Sequence, residues 1–441
     1  MESWNPEDVD AERNGKPGES SIINHQSSIS PRDSSIINHQ SSIPLESSII
    51  NHQSSIPTPH SSPIPSRPTW AEISLPNLVH NLRVMKAHAG PGVAVMPAIK
   101  ADGYGHGAVE CARALEHAGA DWFGVAMPEE GLKLREAGIT RPILCLSGFW
   151  DGQEETLLAG RLTPVVFRLD LLERLNRAAH AAGLIADYHL KVDTGMNRLG
   201  LPHTELAGFL DRAARFGNTR LDGVMTHLAA ADEVAKREFT LLQMSRFAEA
   251  LSMLRDRGFN PAWVHQANSA AAQSLDKPFG NLVRIGALIY GYWRDIVMTG
   301  APPLDWRPVM SLHTRIGFIK TVPAGEALGY GCTFITRRES RIATLPIGYA
   351  DGLSRALSNK GRVIVRGSYA PIAGRISMDL TLVDVTEVQH AALGDEVVLM
   401  GRQEDKEITA EEIAGSIGTV SYEVTCGVSD RVPRVYIGLG I

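Results

Sequence analysis

The sequence predicts a (β/α)8 TIM-like barrel followed by a mainly β C-terminal domain. Eight short, nearly continuous apolar runs alternate with helical periodicity through 68–302. Strands that apolar along their whole length belong in a parallel sheet covered by helices on its faces. Beyond Pro302 the helical stretches nearly cease, and β-rich runs separated by turn residues take over. Eight units favour a closed barrel over an open sheet. The runner-up, a doubly wound sheet, would carry a GxGxxG turn after its first strand, and none is present.

Taken in order, residues 1–67 read as a disordered, low-complexity tail. The unit Ser-Ser-Ile-Ile-Asn-His-Gln-Ser-Ser-Ile starts unchanged at Ser20, Ser34 and Ser47. Small polar residues with isolated isoleucines bury too little surface to offset chain entropy. The same unit is what the tandem string TCATCAA encodes as its frame advances. The hypothesis that the tail translates a DNA repeat fails if the gene's codons do not follow that string. From Asn77 onward, 78–88 reads as an amphipathic helix. The barrel runs are 93–99, 122–126, 143–146, 164–167, 188–192, 221–225, 263–265 and 282–285. Helical stretches at 108–118, 129–137, 171–182, 204–216 and 234–257 lie between them. Residues 303–441 form the β-rich domain, with runs at 309–319, 341–346, 362–365, 380–385 and 396–400.

Composition narrows the function. The 441 residues carry a net charge of -6, which gives nucleic acid or an anionic membrane no basic patch to bind. No stretch approaches the roughly 18 apolar residues of a membrane span. Cys111, Cys145, Cys332 and Cys426 are far apart, so neither a disulfide framework nor a cysteine metal site is expected. That usage and a start lacking a basic, apolar leader fit the cytoplasm.

Barrel enzymes place their chemistry at the C-terminal ends of the strands. Lys100 ends the first run and opens a glycine-rich stretch with Gly103, Gly105 and Gly107. Lys191 lies in the fifth run, His227 follows the sixth, Asn268 and Ser269 follow the seventh, and Arg284 ends the eighth before Gly286. A lysine at an apolar strand end can simply snorkel. It can also be a partly desolvated amine whose lowered pKa suits Schiff-base formation. The glycines favour the second reading, because they let backbone approach a ligand closely. Positions after the seventh and eighth strands are the usual phosphate site of barrels. A Schiff-base lysine beside a phosphate site suggests pyridoxal phosphate, although a Schiff-base aldolase would show similar parts.

These residues lie in recognisable surroundings. The run Ala98-Ile-Lys-Ala-Asp-Gly-Tyr-Gly-His-Gly107 resembles the cofactor-lysine motif of bacterial alanine racemases. The resemblance continues, in order, through Lys191-Val-Asp-Thr-Gly-Met-Asn-Arg198, Gln266-Ala-Asn-Ser-Ala270, Gly329-Tyr-Gly331, Ile347-Gly-Tyr-Ala-Asp-Gly352, Gly374-Arg-Ile-Ser-Met-Asp379 and Ser421-Tyr-Glu423. It implies a pyridoxal-phosphate homodimer with shared sites that interconverts L- and D-alanine for peptidoglycan synthesis. By the resemblance, Lys100 holds the cofactor and acts as one acid/base, and Tyr330 from the partner subunit serves the opposite face. Arg284 faces the pyridine nitrogen, with His227 packed on the ring. Tyr104, Ser269, Gly286, Ala287 and Tyr422 hold the phosphate, supported by Asn268. Arg198 and Met378 meet the substrate carboxylate, Tyr349 is a gate residue, and Lys191 matches a lysine that is often carbamylated. Asp379 supports the partner site.

Four departures from the usual pattern shape the pocket without removing a chemical group. Gly103 stands where alanine is common, Ser377 where cysteine is frequent, Leu328-Gly329 precede Tyr330, and no proline follows Arg284. A serine or broad-spectrum racemase remains the nearest alternative. A decarboxylase of the same fold would need a partner-chain cysteine and an acidic grip for a distal amine. A non-catalytic pyridoxal-phosphate carrier would stop after a single barrel.

Overall fold

The computed structural model describes residues 67–276 and 280–438. The expected tail, 1–67, lies outside the described residues except for Arg67. Eight parallel strands form the barrel: Ala94–Pro97, Phe123–Val125, Ile143–Cys145, Thr163–Val166, Ala186–Asp193, Thr219–Met225, Trp263–His265 and Leu282–Ile285. Each falls on a predicted apolar run, shifted by three residues or fewer at either end. Six of them pair in sequence order, Phe123–Val125 through Trp263–His265. The last strand pairs in parallel with the first. Backbone bonds close the ring on either side of that pair, from Ile99 N to Gly124 O at 2.7 Å and from Arg284 N to Ala267 O at 3.1 Å.

The barrel is filled, not hollow. Met96, Trp122, Leu144, Val165, Met225 and Leu282 form one buried cluster within it. Packed-in polar groups share that interior: His189 and His265 are fully buried and face each other at 2.9 Å. An unpaired polar group in a dry core costs about 1–3 kcal/mol, and His189 Nε2, with no hydrogen bond among the described residues, has only Asp222 nearby at 3.7 Å.

Two elements differ from the sequence reading. The first helix spans Leu75–Ala89, not 78–88, because the Ser74 side chain accepts from Asn77 N and caps it, with proline in the first turn. The strand Thr69–Ser74 precedes it and falls inside the span expected for the barrel. It lies instead in the second domain's sheet, antiparallel to Met310–Arg315 and parallel to Arg434–Ile437. Its alternating burial is the signature of a half-solvated sheet: Thr69, Ala71 and Ile73 face inward. That period of two was visible in Thr-Trp-Ala-Glu-Ile-Ser and distinguishes it from the continuously apolar barrel strands. The first and last strands among the described residues therefore lie side by side in one sheet. A smaller three-stranded sheet, Phe318–Val322, Ser340–Leu345 and Thr381–Asp384, completes that domain.

Candidate active site

Lys100 follows the first barrel strand and begins a turn that L-residues avoid. Ala101, Asp102, Gly103 and Tyr104 all have positive φ (51°, 49°, 66° and 55°) and wind left-handed. Each non-glycine member costs about 1–2 kcal/mol, so the surroundings must hold the turn. Glu130 accepts from Ala101 N at 2.7 Å, and Asp102 takes Ala108 N at 3.1 Å and the Lys133 amine at 3.0 Å. Buried His106 completes the clamp. Its Nδ1–H donates to the Gly103 and Tyr104 carbonyls at 2.9 Å each, and its Nε2 accepts from the Tyr292 hydroxyl at 3.2 Å. Burial pushes this imidazole down to about 3, so it keeps that single tautomer at working pH. Gly105 is required outright: at φ +83° a Cβ there would sit 2.2 Å from the Thr425 carbonyl oxygen. His106→Ala removes the clamp: the Tyr104 carbonyl and the Tyr292 hydroxyl lose their imidazole partner, while Gly103 O keeps the backbone N–H of residue 106 at 3.1 Å. We expect a loss of about 3 kcal/mol, read by urea denaturation of the holoenzyme.

The turn delivers Lys100 and Tyr104 into a cavity of about 610 Å³ at the strands' C-terminal end. Lys191, Arg198, His227, Asn268, Ser269, Arg284, Gly286, Ala287 and Tyr422 line it too. Eleven of the residues singled out in the sequence are thus brought together. Four are not: Tyr330, Tyr349, Met378 and Asp379 stand on the β domain and do not line this chain's own cavity, the first three 72%, 43% and 53% exposed. Met196, Asp232 and Ile296 also line the cavity and went unremarked. Nothing in their residue types singled them out.

The cavity is strongly cationic. Burial, then the charge of Arg198, lowers the Lys100 amine, which raises its share of the neutral, nucleophilic form. Lys191 falls to about 8, through burial first and then repulsion from Arg284 and Arg198. Such a cluster calls for anions. The sign of its cost follows from linkage: below pH 8 Lys191 is charged when folded and unfolded alike, so the burial penalty is complete. It fades as pH rises towards 10.5, where the unfolded amine deprotonates as well. Lys191→Gln should therefore be more stable than the parent by about 3 kcal/mol at pH 7, with the gap closing above pH 10.5. Urea unfolding across that range measures it. A variant less stable than the parent at pH 7 would mean that Lys191 is carried as an anion, the carbamate.

Arg284 is fully enclosed, yet it faces no carboxylate among the described residues. Its two terminal nitrogens are spoken for. One meets the His265 carbonyl at 2.9 Å and His265 Nδ1 at 3.1 Å; the other meets Thr226 O at 2.8 Å, Gln266 O at 3.3 Å and His227 Nδ1 at 3.4 Å. The Nε–H makes no hydrogen bond among the described residues, and the arginine lines the cavity. Burial lowers the guanidinium to about 9. It nonetheless stays charged at neutral pH, a donor that does not give up its proton. Its partner His265 was missed by the sequence reading, since a histidine inside a strand carries no sign of what it faces.

A second cradle lies at the end of the eighth strand. Gly286 N donates to Ser269 Oγ at 2.9 Å, and a Cβ on Gly286 would fall 2.4 Å from the Tyr104 hydroxyl. Only glycine lets hydroxyls and backbone N–H converge so tightly. Asn268 supports from behind, capping the helix Ser269–Ser274 at Ala271 N (3.0 Å) and donating to Leu228 O (3.1 Å). Tyr422 rides on Ser421–Cys426, a helix held by Asp295 through Ser421 N at 2.7 Å and its hydroxyl at 3.1 Å.

A closed parallel barrel with an amine, a hydroxyl and N–H cradle and a fixed guanidinium at its C-terminal mouth has the layout of a barrel enzyme's site. Comparison with known proteins narrows that class. The alanine racemase N-terminal domain family matches residues 73–293, and the alanine racemase C-terminal domain family matches 309–436. The alanine racemase of Halothermothrix orenii is 43% identical over 373 residues, 84% of this chain and 97% of that protein. Among solved structures, alanine racemase of Clostridium difficile 630 in complex with cycloserine superposes with a TM-score of 0.77 at 38% identity, covering 84% of this chain and 96% of that one. Alanine racemase of Bartonella henselae with covalently bound pyridoxal phosphate gives 0.74 at 29%, covering 84% and 99%. The chain belongs to the alanine racemase family, a family of pyridoxal-phosphate-dependent isomerases.

Proposed function

We propose that this chain racemises alanine with two bases, Lys100 and Tyr330 of a second copy, using pyridoxal phosphate held in the cavity. The observation that carries the reading is the split of the site: every proposed cofactor contact lines one cavity, while Tyr330, Tyr349 and Met378 are exposed away from it. A homodimer that exchanges those faces completes two sites at once. The residues present fit the cofactor. Tyr104, Ser269, Gly286, Ala287 and Tyr422 suit its phosphate, with Asn268 behind them. The free Nε–H of Arg284 suits its ring nitrogen, with His227 beside it. Lys100 suits its aldehyde.

Bound pyridoxal phosphate supplies an electron-withdrawing ring that acidifies the substrate's alpha C–H. All else falls to the chain. Arg284 donates without protonating the ring nitrogen, which restrains the ring's electron demand and disfavours side reactions such as transamination. Arg198, beside Lys191 in the cavity, and the Met378 backbone of the second copy hold the substrate carboxylate. Lys100 takes or gives the proton on one face of the alpha carbon, and Tyr330 does so on the other. Tyr349 narrows the mouth to small side chains. Supply of D-alanine for peptidoglycan in the cytoplasm is the role we assign.

The deciding test is proton NMR in D2O of the pyridoxal-phosphate-loaded enzyme with L-alanine, L-serine, L-lysine and L-arginine together. Alpha-proton loss and racemisation confined to alanine support the reading. Comparable exchange in lysine or arginine makes the enzyme broad-spectrum, and no exchange at all overturns racemisation.

A further inference from the structure

Arg67 is the first described residue and lies outside both matched family spans, 73–293 and 309–436. Its guanidinium meets Asp351 through two parallel bonds, each 2.7 Å. The Asp351 side chain is wholly buried, while Arg67 is a quarter exposed. The same guanidinium donates to the Pro346 carbonyl at 3.1 Å and the Arg431 carbonyl at 3.2 Å. Asp351 in turn accepts from Gly348 N at 3.0 Å. Arg431 extends the lattice, lying 3.4 Å from Asp351 and 2.7 Å from Asp379.

What this lattice holds is the backbone that presents two exposed residues of the proposed site. Tyr349 N donates to Ser377 O at 3.0 Å, and Ala350 N to Met378 O at 3.1 Å. Gly348 is pressed so close that a Cβ would lie 2.3 Å from the Ser377 and Met378 carbonyl oxygens. Residues 346–352 and 377–379 are therefore tied together by main-chain bonds and close packing. Arg67 and Asp351 tie that segment to the residues just before the strand Thr69–Ser74. A planar fork that grips both oxygens of a buried carboxylate fixes angle as well as distance.

We propose that Arg67 is a positioning residue: through Asp351 it sets Tyr349 and Met378 at the mouth of the partner's site. The assignment rests on the function proposed above. Arg67 touches no reacting atom, so its effect falls on substrate fit and not on proton transfer.

The test compares the full-length, cofactor-loaded parent with Arg67→Gln, Arg67→Lys and Asp351→Asn, by amide hydrogen exchange and steady-state kinetics. In Arg67→Gln the amides of 348–350 should exchange about 100-fold faster while the barrel strands keep their protection. KM for alanine should rise about tenfold, with kcat within about twofold and weaker preference for alanine over serine. Asp351→Asn should repeat that pattern. Arg67→Lys should restore only part of it, because an ammonium cannot bridge two oxygens. Unchanged exchange at 348–350 overturns the clamp, and exchange raised equally in the barrel overturns positioning in favour of general instability. Faster loop exchange with an unchanged KM overturns the loop's part in substrate fit. A parent inert towards alanine refutes the function above, while the exchange data still decide the clamp.

Discussion

Lys100→Ala should abolish racemisation in both directions, with kcat/KM for alanine reduced by about 10⁴-fold or more. The variant loses two things together. It loses the amine that bonds the cofactor covalently, and with it one of the two groups that reach the alpha carbon. No other residue can substitute for it readily. Lys191 lines the same cavity, but it lies within a different strand and is repelled by Arg284 and Arg198. The left-handed turn that aims Lys100 belongs to residues 101–104 and is held by Glu130, Asp102 and His106. Alanine at 100 leaves those contacts in place, so the fold should survive and the readout is clean. Absorbance of the bound cofactor should shift to that of free pyridoxal phosphate, and chiral analysis of alanine should show no turnover. Retained turnover would overturn the assignment of Lys100.

Tyr330→Ala should cost about 10³-fold, unequally in the two directions, because each enantiomer needs its own face served. The tyrosine sits between Gly329 and Gly331, both at positive φ, on a turn whose Gly331 has no room for a Cβ beside the Arg375 guanidinium. Since the ring is largely exposed on its own chain, truncation should leave the monomer's packing intact. Complementation then tests the shared site directly. In a dimer of one Lys100→Ala chain and one Tyr330→Ala chain, one site carries both lesions and the other carries neither. Randomly reassorted, the two inactive variants should regain about a quarter of the parent activity, since half of the dimers are mixed and each has one intact site. No regain after verified exchange would place Tyr330 in its own chain's chemistry, or in none. Equal, mild losses in both directions would count against two bases.

Much of the site was legible before the fold was known, and the reason is regular. A parallel barrel gathers the C-terminal ends of its strands at one mouth, so strand order alone brings Lys100, Lys191, His227, Ser269 and Arg284 together. The glycines at 103, 105 and 107 read as letting backbone approach a ligand, whereas Gly105 makes room for the Thr425 carbonyl and Gly107 for the Tyr436 ring, both within the protein. Less legible were residues whose role depends on what they face. His106 stood within the quoted motif, yet nothing in the motif shows that it clamps a left-handed turn. His265 and Asp295 act through partners 19 and 126 residues away. The sequence reading has no strand at Thr69–Ser74, which falls within the span 68–302 given to the barrel, although its alternating pattern fits the half-solvated sheet it joins.

The sequence by itself determined the class of fold, the family and the chemical inventory of the site, because periodicity and strand order are local properties that residue types express directly. Tertiary structure alone decided which groups are already committed and which are left free to act. That Arg284 spends its terminal nitrogens on His265, His227 and three carbonyls, that Tyr330 stands outside its own cavity, and that Arg67 grips Asp351 across 284 residues are facts of long-range packing. Contacts between distant segments form only when the whole chain closes, and no local pattern encodes them.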